Sequence, residues 1–488
     1  MILGSSLIHA QELELTLEKA IQLARQQSFE AFQSKNAYMV KTLDYQSFKK
    51  MLHPRLNLSL TPGNYDRSIS ELWDSEEERY KPYEVQWLTS VGTAYLSQGV
   101  GLTGGQLSVS SSLRRSMTYY ENSDNVLNYI SNPISISYRQ DLNAVNYYKW
   151  RSKLEPLEFE KAQKQLLEDL ESTTIKAVQL FYIFLDADMN YRIARLNKNN
   201  TDTLYLFGRR KLEIGAITRA EYLRLELNKV NADIHLETSQ LSREEAMIEL
   251  NNFLELPREA QLVCINNSNV PKIPVSAAIA IAKAHENNPD MVYLKQKLIE
   301  AQKAIKEANS NRMSANFRAT MGLNQNQEEL NAAYQDLRDQ QGLALTISMP
   351  ILDWGDNRRS IEKARLNQEL MEKSGRKQKD ALEIEVLNMV NNFNIQSKQV
   401  EASALADSIS RVAYDAVQQQ FLLGRVNVVE LNSSYNDMQN AQNKYINTLR
   451  NFWLQLYSLR RVCLFDFEKN EDLSFDEDPI IIESSLNQ

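Results

Sequence analysis

A few residue groups in the sequence have types and spacings that could support binding or catalysis. Gly99, Gly101 and Gly104 have GxGxxG spacing, which binds a dinucleotide pyrophosphate where a buried strand precedes it and a helix follows. Alternating β-type residues follow here instead, so we interpret the motif as a turn. Glu244 and Glu245 are paired carboxylates, but they lie on the exposed face of a predicted helix. The histidines are scattered without metal-ligand spacing, at His9, His53, His235 and His285. These patterns favour no enzymatic activity and indicate neither a metal site nor a cofactor.

Cys264 and Cys463 form neither a CxxC pair nor a metal-ligand pattern. They could form a disulfide in an oxidising compartment. Because spacing alone does not show that they are close, we favour two unpaired buried thiols.

The composition is unusual for a chain of several small domains. Only 14 Gly and 11 Pro interrupt 488 residues, and the mean hydropathy is −0.47 with 24% charged residues. No stretch approaches the ~18 apolar residues of a transmembrane helix. This excludes a helical membrane protein but not a β-barrel, whose strands alternate between apolar and polar residues.

The charge of the chain and its two ends also restrict the interpretation. The net charge is −8, and residues 466–488 contain eight acidic residues against one lysine. We therefore predict an acidic solvated tail and a nearly neutral remainder, for which nucleic acid is an unsuitable partner. Residues 1–10 resemble the end of a secretory signal, with Ala10 at a suitable cleavage point but no basic region before it. A frayed leader is the alternative.

The chain contains an internal duplication with an offset of 209 residues. Gly215 begins the run Gly-Ala-Ile-Thr-Arg-Ala-Glu, and Gly424 begins Gly-Arg-Val-Asn-Val-Val-Glu. The same offset aligns apolar residues upstream, namely Ala177 with Val386, Phe181 with Val390, Phe184 with Phe393 and Tyr191 with Val400. Spacings of four, three and seven residues are typical of a heptad seam.

This periodicity predicts three helical stretches in each half. Each half has a shorter opening stretch, then a long helix and then a returning helix. In the first half these are at 15–52, 143–200 and 218–254, and in the second half at 274–314, 353–414 and 427–464. A helix of about 58 residues spans roughly 85–90 Å. A single apolar stripe leaves each long helix in need of neighbours, which favours a bundle of several chains.

Period-two alternation predicts two strands between the helices of each half. Leu58 and Leu345 belong to apolar faces, whereas Asn57 and Thr346 belong to polar faces. A β-sandwich has the same pattern, but four strands per chain between long helices suit a barrel in which three copies supply twelve strands. Residues 63–130 have no counterpart in the second half. They either add strands to the barrel or form an elongated hairpin.

These features resemble the TolC family of outer-membrane efflux proteins. The resemblance is carried by Leu17-Glu18-Lys19-Ala20-Ile21, by Pro350-Ile351-Leu352-Asp353-Trp354-Gly355, and by the repeated motifs at Gly215 and Gly424. It implies a homotrimer with a barrel in outer-membrane lipid and a tunnel in the periplasm. It also implies docking onto a periplasmic membrane-fusion adaptor that links the channel to an inner-membrane pump.

The resemblance also implies roles for residues at the two turns. Adaptor-docking tips would be formed by Gly215, Ala216, Ile217, Thr218, Gly424, Arg425, Val426 and Asn427, and the pore constriction by Glu221, Glu430 and Phe421. Phe421 stands where the family has tyrosine, and Val426 where it has arginine. A helix C-cap without a partner remains an alternative for each glycine, and a solvated helix face remains one for each glutamate.

The predicted fold is an internally duplicated protein with a trimeric β-barrel of twelve or more strands, continued by a long α-helical periplasmic tunnel. The predicted segments are a signal-peptide remnant (1–10), a first repeat (11–256) with strands near 54–142 and a helical hairpin at 143–256, a linker (257–273), a second repeat (274–465) with strands near 316–352 and a hairpin at 353–465, and the acidic tail (466–488). The predicted function is a passive outer-membrane channel for efflux or type I secretion. A soluble periplasmic coiled-coil scaffold is the alternative from another class, and a dedicated protein-secretion tunnel is a third.

Overall fold

The computed structural model of the protein describes residues 13–74, 77–120, 124–258, 260–265, 270–423 and 425–474. The predicted signal-peptide remnant, Gly424 and the acidic residues after 474 lie outside the described residues. The chain divides into two compact units. The first unit holds the described residues of 1–40, 160–292 and 376–488, and the second those of 41–159 and 293–375.

The described residues form eight α-helices. In chain order they are α1 (Leu17–Gln27), α2 (Phe29–Lys49), α3 (Tyr147–Glu213), α4 (Arg219–Phe253), α5 (Ala277–Asn287), α6 (Pro289–Ser310), α7 (Asp356–Leu422) and α8 (Val428–Cys463). Helices α3 and α7 have 67 residues each, which is about 100 Å at the α-helical rise. Their first residues are separated by the repeat offset of 209 positions, and so are their last residues. They extend beyond the predicted ranges because each continues to the glycine motif that reverses the chain. Within the described part of the chain, none of these helices is long and apolar enough to cross a membrane.

The opening helical stretch of each half is broken once, at Ser28 and at Asn288. The Ser28 N–H donates to the Ala24 carbonyl, and the Ser28 Oγ accepts from the Ala31 N–H at 3.2 Å. In the second half the Asn288 Oδ1 accepts from the Asp290 N–H at 2.8 Å. Short polar side chains bind nearby backbone groups and so end one helix and begin the next. The single stretches expected at 15–52 and 274–314 are therefore each two helices.

The aligned apolar positions of the duplication form the core of the first unit. Phe181 and Phe184 on α3, with Val390 and Phe393 on α7, are at most 1% exposed and belong to one cluster. The Phe393 ring lies 5.2 Å from that of Phe452 on α8. The heptad seam thus becomes a packed helical core, as the spacing of these residues predicts.

Ten strands are present in the described residues. They are β1 (Leu13–Leu15), β2 (Arg55–Asp74), β3 (Arg79–Gly99), β4 (Gln106–Tyr120), β5 (Val126–Asp141), β6 (Leu262–Cys264), β7 (Ser314–Gln327), β8 (Arg338–Ser348), β9 (Phe465–Asp466) and β10 (Glu471–Asp472). Six of them form one antiparallel sheet in the order β2-β3-β4-β5-β7-β8. Strand β1 pairs with β6, and β9 pairs with β10.

The sheet has six strands per chain, so the segment 63–130 adds two strands to the four expected from the alternation. The segment 63–130, which has no counterpart in the second half, completes β2 and supplies β3 and β4 between β2 and β5. It also forms a hairpin extension, because β2 and β3 pair as far as Asp74 with Arg79, whereas β4 pairs with β3 only as far as Tyr120 with Val85. Both alternatives for this segment are therefore correct in part.

The strand register places the alternating apolar residues on one continuous face of the sheet. Leu56 is opposite Leu96, Leu96 is opposite Val109, Val109 is opposite Ile136, and Ile136 is opposite Met321. Since paired residues project to the same side and neighbours along a strand project to opposite sides, Leu58 belongs to this face and Asn57 to the other. The same rule places Leu345 on the apolar face and Thr346 on the polar face.

The start of the acidic segment differs from the expected solvated tail. Asp466 is buried, and its carboxylate accepts from the Arg460 guanidinium at 2.9 Å. Asp472 accepts from the Lys283 ammonium at 2.9 Å and from the Asn287 amide at 2.8 Å. Residues 466–472 are thus packed against helices by charge pairing, which a net-charge argument does not reveal.

Both cysteines are free and buried in the first unit. Burial raises the pKa of the Cys463 thiol to about 12 and that of Cys264 as well. Both thiols therefore remain protonated near neutral pH and have little nucleophilic character.

Candidate functional site

The turn between α3 and α4 is built around Gly215. Its φ of 72° is in the left-handed region, which favours glycine because a Cβ would be strained there. The Gly215 N–H donates to the Leu212 carbonyl at 3.0 Å, and the Ala216 N–H donates to the Lys211 carbonyl at 2.8 Å. These two bonds form a Schellman motif, which satisfies the last carbonyls of α3 and reverses the chain.

The next helix begins with a capping box formed by Thr218 and Glu221. The Thr218 Oγ1 accepts from the Glu221 N–H at 3.3 Å, and the Glu221 carboxylate accepts from the Thr218 N–H at 2.7 Å. The bond from the Thr218 backbone lowers the pKa of Glu221, and the Thr218 side chain adds to this effect. Glu221 is exposed, and its carboxylate already has a structural partner within the chain.

Two of these contacts recur among the described residues of the turn between α7 and α8. The Arg425 N–H donates to the Gln420 carbonyl at 2.9 Å, at the positions equivalent to Ala216 and Lys211. The Asn427 Oδ1 accepts from the Glu430 N–H at 2.9 Å and begins α8. The described contacts of Glu430 do not include the reciprocal side-chain bond that Glu221 makes. The two glutamates occupy equivalent sequence positions but have different local partners.

A cavity of about 390 Å³ lies between the two turns. Of the residues predicted for the tips and the constriction, those that line it are Ile217, Glu221, Phe421, Val426 and Asn427. The predicted residues that do not line it are Gly215, Ala216, Thr218, Arg425 and Glu430, which are exposed at the turns. Gly424 lies outside the described residues.

The rest of the cavity wall comes from residues that the sequence did not single out. Phe207, Leu225 and Val429 supply apolar surface, while Lys211 and Arg224 supply positive charge beside Glu221. The wall therefore combines apolar side chains with charged groups, which is suited to receiving an apolar side chain flanked by polar groups. Among the described residues, no group of three potential metal ligands is close enough to hold an ion.

Two tyrosine pairs above the turns were also missed. The Tyr205 and Tyr222 hydroxyl oxygens lie 2.8 Å apart, and the rings of Tyr414 and Tyr435 lie 5.8 Å apart. The hydrogen bond between the Tyr205 and Tyr222 hydroxyl groups raises the pKa of Tyr222. Burial raises the pKa of Tyr435 to about 12. Tyr205 and Tyr414 are related by the offset of 209, so extending the repeat alignment toward the turns would have indicated these positions.

The duplicated second half also matches a known family. Residues 280–462, from α5 to the end of α8, match the model of the outer membrane efflux protein family. This segment of the chain is therefore similar to the outer membrane efflux proteins. The family is one of channels rather than enzymes, and its members are outer-membrane proteins. No curated protein matches the chain by sequence.

Several solved structures share the fold of this chain. The CmeC outer membrane channel of Campylobacter jejuni is 12% identical, with a TM-score of 0.67, and the match covers 96% of this chain and 89% of CmeC. The open-state MtrE channel of Neisseria gonorrhoeae is 14% identical with a TM-score of 0.62, covering 94% and 91%. The VceC protein of Vibrio cholerae is 10% identical with a TM-score of 0.58, covering 94% and 97%. At these identities the likeness concerns the fold, which is the α-helical and β-sheet architecture of outer-membrane efflux channels.

Proposed function

We propose that three copies of this chain assemble into a passive channel of a tripartite efflux or type I secretion system. The channel conducts substrates from a periplasmic adaptor and an inner-membrane pump across the outer membrane. The observation that carries this proposal is the six-stranded sheet, with one continuous apolar face and two unpaired outer edges in the described residues.

Strands β2 and β8 form the edges of the sheet, and all eleven residues of β8 are exposed in the single chain. An unpaired strand edge inside lipid costs several kcal/mol for each unsatisfied backbone group, so spanning sheets close into barrels. Three copies of six strands supply eighteen, which pair edge to edge and close around a lumen. The apolar face then meets lipid, and the polar face meets water.

The helices support the same assembly through apolar residues that the single chain leaves uncovered. On α4, Leu227, Ile234, Leu241 and Ile248 recur every seven residues and are each about half exposed. On α7, Leu405 and Val412 are also seven residues apart and exposed. Heptad stripes of this kind require facing helices. A second copy of the chain supplies them, which argues against a monomeric soluble scaffold.

The adaptor docks at the two turns around Gly215 and Gly424 in this proposal. The cavity between the turns supports it, because Ile217, Phe421 and Val426 offer an apolar recess at an exposed end of the helical hairpins. The symmetry of the two turns provides two similar docking positions per chain. Residues 215–218 and 424–427 therefore remain the proposed adaptor-facing tips.

The pore constriction is proposed at Glu221, Glu430 and Phe421. Threefold symmetry would bring three copies of each glutamate around one axis and create a negative potential that attracts cations. The capping box at Glu221 is compatible with this role, since a carboxylate oxygen has lone pairs beyond those that Thr218 occupies. The capping hydrogen bonds lower the pKa of Glu221, whereas a ring of three carboxylates would raise it through charge repulsion. A titration of Glu221 in the trimer therefore tests the ring.

The proposal is tested by fractionation and by reconstitution of the full-length protein. We expect the protein in outer-membrane fractions as a heat-labile trimer, and we expect conductance steps when it is added to planar lipid bilayers. A detergent-free monomer with native helicity would support the scaffold instead. A membrane-bound trimer without conductance would contradict the passive channel.

A further inference from the structure

A second cavity, of about 460 Å³, lies in the second unit where β5 gives way to α3 and α6 gives way to β7. Its walls include Lys149, Trp150 and Lys153 from α3, and Lys306 and Asn309 from α6. Neither the duplication nor the proposed channel requires this group of residues. Three lysines and an indole around one cavity are a recognisable arrangement for binding an anion.

The Trp150 ring holds two of these cations close together. The Lys153 Nζ lies 5.1 Å from the ring centroid and the Lys306 Nζ lies 5.6 Å from it, while Trp150 itself is only 7% exposed. Both distances are within the range of cation–π attraction. The ring therefore holds one ammonium from α3 and one from α6 at the same cavity.

Carboxylates do not neutralise this positive charge. Among the described residues, the ion pairs do not include Lys149, Lys153 or Lys306, although neighbouring lysines such as Lys303 are paired at 3.2 Å. Like charges that share a cavity repel one another, and an anion placed between them removes the repulsion. The described residues that line this cavity include no carboxylate, so a bound ligand would supply the negative charge.

The cavity walls are held in place by asparagine side chains. The Asn143 Nδ2 donates to the Ser310 and Met313 carbonyls at 3.0 and 2.6 Å. The Asn146 Oδ1 accepts from the Lys149 N–H at 3.0 Å and begins α3. These amides are occupied in joining the strand ends to the helices. The lysine ammonium groups therefore remain as the donors available to a ligand.

An apolar surface begins next to the cavity. Leu142 directly precedes Asn143, continues the apolar face after Ile136 and Tyr138, and is 59% exposed. The Leu142 N–H donates to the Ala315 carbonyl at 2.7 Å, which extends the pairing of β5 with β7. A ligand with a phosphate and an attached hydrocarbon chain would meet lysines at one end and the apolar face at the other.

We propose that this cavity binds the phosphate of an anionic phospholipid from the periplasmic leaflet, with the acyl chains lying along the apolar face beside Leu142. The inference rests on the proposed function, since that function places the apolar face in lipid and the helices in the periplasm. Tryptophan and lysine are the residues that anchor proteins at this level of a bilayer. Each lysine near an anionic surface contributes about 1 kcal/mol.

The test uses the full-length trimer in lipid nanodiscs that contain phosphatidylglycerol or only phosphatidylcholine. Lipid retained after transfer to detergent is counted by native mass spectrometry. The variant Lys149→Gln, Lys153→Gln, Lys306→Gln removes the three cations. Its matched control is Lys295→Gln, Lys363→Gln, Lys377→Gln, which removes the same charge from exposed helical positions.

We expect the first variant to lose at least about tenfold in retained phosphatidylglycerol, while the control variant retains the wild-type amount. Equal retention by both variants would overturn the proposal. Displacement of the lipid by inorganic phosphate in the millimolar range would also overturn it, because the site would then be one for free anions. Trimer formation and bilayer conductance are measured on the same samples. A wild-type trimer without conductance would contradict the proposed channel. A conducting wild-type trimer that retains no phosphatidylglycerol in preference to phosphatidylcholine would contradict only this lipid site.

Discussion

The Leu225 side chain on α4 occupies the space beside Gly208 on α3, and a Cβ at Gly208 would lie 2.3 Å from the Leu225 Cδ1. The two helices approach closely at this point because position 208 has no side chain. At the equivalent positions of the second half, a valine at 417 and a serine at 434 exchange the small and large residues. The two equivalent hairpins therefore place the larger side chain on different helices, on α4 in the first half and on α7 in the second.

Gly208→Ala should destabilise the first helical hairpin, since buried Leu225 must move to admit the added methyl group. Overpacking of this kind costs about 1–3 kcal/mol. Hydrogen exchange of the α3 and α4 amides near residue 208 measures the loss of protection. The double variant Gly208→Ala, Leu225→Ala should recover part of it, and additive losses in the double variant would show that the contact does not limit packing.

The capping box predicts a pH dependence that is confined to the first turn. The folded-state pKa of Glu221 is lowered, so its carboxylate stabilises the start of α4 above the unfolded value of about 4.3. That contribution is lost as the pH falls through the folded pKa. The hydrogen-exchange protection factors at residues 219–222, taken relative to the intrinsic exchange rate at each pH, should therefore fall on acidification in the wild type.

The variant Glu221→Gln separates the cap from other acid effects. Its protection factors at residues 219–222 should be lower than those of the wild type at neutral pH and nearly independent of pH below it. Thr218→Ala removes the other half of the box and should cost about 1 kcal/mol of local stability. A wild-type protection factor that is constant between neutral and acidic pH would contradict the capping role.

Arginine substitutions in the sheet should divide by face. Leu58→Arg and Leu345→Arg place a charge on the apolar face and should cost ~2–4 kcal/mol near the bilayer midplane. Asn57→Arg and Thr346→Arg lie on the polar face and should be tolerated. The yield of heat-labile trimer in outer membranes measures the difference. Equal losses for both pairs would mean that the two faces do not meet lipid and water respectively.

The proposed carboxylate ring should control ion selectivity. Glu221→Gln with Glu430→Gln removes six charges from the trimer and should reduce cation selectivity and weaken block by multivalent cations. Reversal potentials in planar bilayers provide the measurement. Glu244→Gln with Glu245→Gln is the matched control, because both residues are exposed on α4. If the two double variants behave alike, Glu221 acts as a cap and Glu430 as a solvated residue, and the channel is lined elsewhere.

Local periodicity and the internal repeat determined the buried faces of the helices, the two faces of the strands and the position of the first turn. Buried Phe181 and Phe393 follow from a heptad spacing that recurs at the offset of 209, and Leu58 and Asn57 fall on opposite faces because side chains alternate along a strand. Gly215 marks the reversal, since a left-handed turn after a helix favours glycine. Each of these features depends on residues close together in sequence.

Other features depended on which elements meet in space. The segment 63–130 could add strands to the sheet or project as a hairpin. The pairing of β3 with both β2 and β4 decided the number of strands. The contact of Leu225 with Gly208, the cavity that joins Ile217 to Phe421, and the lysines around Trp150 each require helices distant in sequence to face one another. Periodicity shows that a helix has a buried face but not which partner covers it. The tertiary structure decided those partners, because packing selects among many compatible apolar faces by shape and volume.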